Sequence, residues 1–300
     1  MGLVLAVLAA AANALATVLQ RIGVEDVAGV RAQRGLLSAI LRRPVWFVGL
    51  GLAAVSFLLQ AVALSRGDLS AIQPVMVTEL LFLLAILSLW FRRTLGWKEW
   101  LGALGTAFGL GLFLAASDAG GGHARPSAAN WVLLLAASGG ALVVSVVAAQ
   151  HGPRWFRAAA YGVGGGIAFA LTAAFVKTAA DQWTRGPIYA MAHWQAYSVA
   201  AAGLVGLILS QHALEAGPVA ASQSTLLVVN PLSSIIMGIW LFGDHLRIGG
   251  DRLSLEVIGL CCMFLSLFIL AGSPLVNASA QEEQLTGTRA MPLGQHGCAG

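Results

Sequence analysis

A chain of 300 residues that is 58% hydrophobic and only 10% charged is not a soluble globule, because ordinary soluble domains carry about 25% charged residues. Its net charge of +4 comes without a basic stretch interleaved with aromatics, which sets nucleic acid aside as a partner. The apolar residues form continuous runs rather than the alternating pattern of an outer-membrane strand, so the expected fold class is an all-α integral membrane protein bathed in lipid.

A helix rising 1.5 Å per residue needs about 17 to 25 residues to cross a bilayer. Nine runs meet that requirement: residues 2–19, 45–64, 70–91, 99–116, 131–149, 158–179, 188–209, 218–242 and 254–271. The first, MGLVLAVLAAAANALA, resembles a signal peptide ending in a small-residue cleavage site at Ala14 to Ala16, but it lacks the basic start such a peptide uses, so it is read as a retained helix. The loop after the first run holds Arg21, Arg31, Arg34, Arg42 and Arg43, and the loop after the third holds Arg92, Arg93 and Lys98. By the positive-inside rule these two loops are cytoplasmic, which puts the N-terminus outside and the C-terminus inside a plasma or inner membrane.

The second to fourth runs recur as the seventh to ninth. Ala63, Leu64, Gly67, Ala71, Gln73, Ile86 and Trp90 meet Ala213, Leu214, Gly217, Ala221, Gln223, Ile236 and Trp240 at one offset, and a gap in the next loop then aligns Glu99 and Gly102 with Glu256 and Gly259. Each copy comes five runs after its original, an odd offset along a chain whose spans alternate in direction, so the copies cross the membrane in opposite directions, the pattern of an inverted-repeat secondary transporter. The expected organisation is a first repeat over 1–116, a loop and linking helix over 117–156, a second repeat over 157–272, and a polar, disordered cytoplasmic tail over 273–300. Gly102, Gly105 and Gly109, and Gly203 and Gly206, are spaced for close helix packing. Cys261 and Cys262 are read as small buried hydrophobes, with no disulfide framework implied.

Glu79, ten residues into the third run, is the one carboxylate deep in a span. A charge there costs about 2.5 to 3.5 kcal/mol on the insertion scale, so such residues commonly face an interior path. Its symmetric position is Val229, beside Asn230, which precedes Pro231; a proline in mid-span frees a carbonyl and opens the helix locally, or simply kinks it. Asn13, Ser56, Gln60, Thr78, Thr172, Gln223 and Ser234 are uncharged polar groups at mid-depth, and Gln73 stands just before Pro74. Each alone suits an interhelical hydrogen bond; together they outline a polar site near the midplane, with Glu79, Asn230, Gln60, Asn13, Gln223 and Thr78 as its candidate substrate-binding residues. His193, Trp194, Gln195 and Tyr197 read as an anchoring girdle at the start of the seventh helix, and His212 as a solvated or proton-sensitive group near its end. Walker A, HExxH and GxSxG motifs are missing from the sequence, as is any Cys/His metal cluster; neither an enzyme nor a cofactor is expected.

The motif order resembles the drug/metabolite transporter superfamily (EamA-like), and within it the NIPA-type magnesium transporters. The resemblance runs over nearly all of residues 5–272 and is carried by TVLQRIG, by WFVGL through LSAIQPVMVTELL, and by HALEAGPVAASQSTLL and IWLFGDH. Asp244 stands where the family has an acidic residue, and Lys177 where it has a lysine followed by glycine. The resemblance implies alternating access and places Mg²⁺ among the cargoes. Yet the family's acidic residue early in the second helix is Phe57 here, a nearby asparagine is Gln60, and a serine beyond the proline is Glu79. A hard cation wants carboxylate oxygens, which leaves Glu79 as the one metal-binding candidate. The expected function is a secondary transporter of a small solute or cation, with a homodimer open as its assembly. A flippase of lipid-linked or amphipathic substrates, or a non-transporting scaffold, are the alternatives.

Overall fold

The computed structural model describes residues 1–28, 44–90, 96–116, 126–217, 219–244 and 251–271. Arg31, Arg34, Arg42, Arg43, Arg92 and Arg93, the centre of the loop around Gly121, and the tail lie outside those residues, whereas Arg21 and Lys98 stand on helices, Arg21 because the first helix continues to Ala28.

The described chain is helical throughout. In order the elements are α1 (Gly2–Ala28), α2 (Pro44–Ser65), α3 (Leu69–Met76), α4 (Glu79–Trp90), α5 (Trp97–Ala116), α6 (Ala128–Ala149), α7 (Arg154–Trp183), the short α8 (Pro187–Met191), α9 (Trp194–Ala216), α10 (Val219–Met237) continuing as a π-helical turn over Gly238–Phe242, and α11 (Asp251–Ala271). Among the described residues, eight helical stretches are long and apolar enough to cross a membrane, and the apolar part of α11, Leu253–Ile269, is shorter. The protein is an all-α membrane protein.

α7 is the central element. Buried residues make up 67% of its apolar stretch, against 22% for α2, α6 and α9, and it packs on α2, α3, α6, α9 and α10. Glycine makes this closeness feasible. A Cβ at Gly162 would stand 2.7 Å from the Ser222 carbonyl oxygen, and one at Gly166 would stand 3.0 Å from the Asn230 nitrogen, so α10 lies directly on the glycine face of α7. α1 packs on α2, α3 and α4, and α5 pairs with α11.

Two helix boundaries and one proline depart from what the sequence predicts. The third run is two helices, because the chain tightens after Pro74: Val77 and Thr78 donate their N–H groups to the Pro74 and Val75 carbonyls three residues back, at 3.2 and 3.0 Å. The Thr78 hydroxyl reinforces the turn by donating to the Val75 carbonyl at 2.7 Å. Pro231, in contrast, opens nothing. α10 runs through it from Val219 to Met237, and regular geometry changes only at the π-helical turn; a single missing N–H is tolerated in a packed membrane helix. The seventh run begins later than expected, at Trp194, because His193 is extended (φ −107°, ψ 139°) and Pro187–Met191 forms a separate turn.

Candidate functional site

The start of α1, the end of α2, the start of α3 and the end of the α10 unit meet at one end of the bundle. Gly2 abuts the carbonyls of Ala63 and Arg66, and Asp244 accepts a hydrogen bond from the Ser70 N–H at 3.0 Å. At 1.5 Å per residue, Asn13 lies about 16 Å below that end, Glu79 about 15 Å and Asn230 about 18 Å. These three share one level in mid-bundle. The Asn13 side chain is close enough to the Glu79 carboxyl to act on it, so two of the expected site residues, distant in sequence, are brought together. Glu79 opens α4 immediately after the helix break, and the N-terminal end of a helix suits negative charge.

The other candidates divide. Thr78 belongs to the break itself and spends its hydroxyl on its own turn. Gln60 is half-buried and lies about 6 Å below Leu64, nearer the capped end than the Glu79 level. Gln223 does not join the site: it sits in the first turns of α10, about 28 Å from Phe242 at the opposite end of that unit. Ser56 donates to the Ala9 carbonyl at 2.7 Å, tying α1 to α2, and Thr172 donates to Ala168 of its own helix at 2.9 Å.

Between Glu79 and the capped end, α3 runs against α10. The close approach of Gly238 to Ser70 sets an antiparallel register in which Gln73 comes level with Ser234 and Thr78 with Asn230. Along this seam Gln73 Nε2, Ser234 Oγ and Asn230 Oδ1 are buried without a hydrogen-bond partner. Gln73 is 4% exposed and Ser234 0%. The seam between α3 and α10 is therefore lined by buried polar side chains rather than by an all-apolar contact.

Lys177 and Asp244 form the top of this seam. Lys177 is 4% exposed. It donates to the Gly67 carbonyl at 2.6 Å and the Leu64 carbonyl at 3.3 Å, and its ammonium lies 5.3 Å from the Phe242 ring centroid. It therefore caps the C-terminal end of α2 from α7, as a lysine near a helix C-terminus does. Asp68 is the residue before α3, but its side chain makes no capping bond; Asp244 supplies that bond instead by accepting from Ser70. Gly243 makes this reach possible, since its φ of 66° turns the chain out of the π-helix. Burial pushes the Asp244 carboxyl above its ordinary range, opposed by the Ser70 N–H and the Lys177 charge and aided by Asp68. The signal available in the sequence was a lysine inside a long apolar run, where an ionised group is expensive.

Depth in a span is not the same as burial. Glu99 (2% exposed) and Glu256 (1%) are buried more completely than the half-buried Glu79, and both lie on the α5–α11 pair. Cys261 is exposed and Cys262 half-buried, so the first of the two faces outward rather than into the core. No group of three His, Cys, Asp or Glu able to hold a metal occurs among the described residues; a cation at Glu79 would meet one carboxylate and the Asn13 amide. Two apolar cavities of about 330 and 260 Å³ indent the bundle, one between α6, α7 and α10 and lined by Ser138, Ile167, Met237 and Trp240, the other between α6, α7 and α9 and lined by Leu171, Phe175 and Trp194.

No protein-family model matches this chain, and no solved structure does. The chain is similar to an uncharacterized protein of Corynebacterium glutamicum, 25% identical over 249 residues that cover 82% of this chain and 85% of that protein. The likeness extends over most of both chains and attaches no activity to either.

Proposed function

We propose that this protein is an inverted-repeat secondary transporter of the drug/metabolite transporter type, moving a small solute or cation by alternating access through a polar site at Glu79 and Asn13. The observation that carries this reading is the carboxylate of Glu79 at the break between α3 and α4, beside Asn13. Interrupted helices at mid-membrane are where transporters build their sites. The pattern of packing supports a repeat: α1 lies on α2 and on α3–α4, as α7 lies on α9 and on α10, while α5 and α11 form a pair of their own. With α11 as a ninth span the two halves have four spans each, joined by α6. The basic loops after α1 and α4 orient the N-terminus outward.

A second reading has one observation behind it. The apolar cavities along α6 and α7 suit acyl chains, as a flippase of amphipathic substrates would need.

The test is a thermal-shift screen of purified protein against Mg²⁺, other divalent cations, metabolites and lipid-linked compounds. A ligand of the folded state adds about 2.7 kcal/mol at a hundredfold excess over its Kd. Glu79→Gln keeps shape and hydrogen bonding but removes the charge. It should weaken binding of the active ligand roughly tenfold to hundredfold, the loss expected for a hydrogen bond to a charged group, and abolish uptake while the unliganded melting temperature stays close to wild type. Uptake by Glu79→Gln equal to wild type removes Glu79 from the mechanism, and a ligand shift confined to amphipathic compounds favours the second reading.

A further inference from the structure

We propose that Lys177 and Asp244 are a latch: together they hold the α2–α3 hairpin against α7 and α10 and close one end of the α3–α10 seam, which opens only when Lys177 releases the α2 carbonyls. This rests on the reading that the seam parts during transport.

The argument begins with what the hairpin lacks. The turn between α2 and α3 ends one helix and starts the next within a few residues, so carbonyls at Leu64 and Gly67 and the N–H of Ser70 need partners. Its own N-cap residue, Asp68, makes no side-chain bond to the helix it precedes. All three groups are served from elsewhere, by Lys177 at 2.6 and 3.3 Å and by Asp244 at 3.0 Å. A hairpin that carried its own caps would be indifferent to the position of α7 and α10. The hairpin satisfies other end groups itself, through the Arg66 N–H to the Ala63 carbonyl and the Ser65 hydroxyl to the Val62 carbonyl, but these three are served only while α7 and α10 stay against it, so that part of its end stability is tied to closure.

The contacts are also reversible in kind. Lys177 bonds neutral carbonyls, and its attraction to Asp244 acts without a direct ion pair between them in the described structure. Both groups reach water readily if the helices part, because they stand at the end of the bundle rather than at its middle. Immediately below, Gln73 Nε2 and Ser234 Oγ are buried and unsatisfied, so the closed seam holds polar atoms that solvent would welcome. Caps at the end with buried polar side chains behind them describe a closed door over a polar path. Gly238 completes the fit: a Cβ there would run into the Asp244 carboxylate and come within 2.9 Å of the Ser70 nitrogen, so α10 is shaped to let Asp244 and α3 meet.

The experiment measures opening directly and needs no substrate. In full-length protein with Cys261, Cys262 and Cys298 replaced by serine, Ser234→Cys is labelled with a small hydrophilic methanethiosulfonate in lipid vesicles. Ser234 is fully buried, so the parent should label slowly. Adding Lys177→Met should speed labelling roughly tenfold, the change that about 1.4 kcal/mol makes in an opening equilibrium. Asp244→Ala, which leaves the Ser70 N–H without its acceptor, should speed it by a smaller factor and serves alone if Lys177→Met does not fold. A folded variant whose melting temperature drops while Ser234→Cys stays protected would show structural caps and overturn the latch. Faster labelling in protein that transports nothing would support the latch while the transport reading fails on its own assay.

Discussion

Gly109 and Gly111 stand two residues apart on α5 and give a test in which only the neighbourhood differs. A Cβ on Gly109 would lie 2.6 Å from the Gly259 carbonyl oxygen and 2.9 Å from the Met263 Cα, and closer still to the Met263 nitrogen, whereas one on Gly111 meets nothing within 4 Å. All the atoms facing Gly109 are backbone of α11, so no side chain can rotate away and the helices must separate by most of an ångström. Overpacking of this kind costs about 1 to 3 kcal/mol. The usual helix-propensity gain of about 0.8 to 1.0 kcal/mol for replacing glycine by alanine largely cancels, because the unfolded state in detergent or lipid keeps its helices. Gly111→Ala should therefore fall within about 0.5 kcal/mol of wild type, an ordinary surface value. Gly109→Ala should lower the melting temperature by several degrees, since about 1 kcal/mol shifts a chain of 150 to 250 residues by roughly 2 to 4 °C. The measurement is thermal unfolding in detergent, followed by tryptophan fluorescence. Equal melting temperatures for the two variants would show that the α5–α11 contact is not the close backbone crossing described above.

Two further expectations concern charge. Because burial raises the Asp244 carboxyl above its value in the unfolded chain, the native state binds a proton there more tightly. That residue's contribution to stability is therefore greatest at low pH and is lost as pH rises through the unfolded and then the folded pKa; Asp244→Asn should flatten this part of the pH profile of the melting temperature, and a variant profile parallel to wild type would refute it. Sidedness rests on the eight basic residues of two loops. In a cysteine-free background, cysteines at Gln33 and Thr94 should resist an impermeant thiol reagent added outside intact cells and one at Gly121 should react, whereas labelling at Gln33 would reverse the orientation.

Hydropathy and the thickness of a bilayer are local constraints, which is why the runs of helix were legible as sequence: each needs only its own apolar residues over about 17 to 25 positions. Glu79 was legible for the same reason, as a carboxylate set in an apolar run. Glycines such as Gly109 announced close packing by type and spacing, though not their partners. Which proline would matter was not legible. Pro74 and Pro231 both lie inside apolar runs, and only the chain after Pro74 tightens into a break, because the outcome depends on what packs around each freed carbonyl. The meeting of Glu79 with Asn13 and the capping of one hairpin by residues 110 to 174 positions away were decided by tertiary structure alone. A side chain can satisfy a helix end from any distance along the sequence, provided the fold carries it there, and no local pattern encodes that arrival.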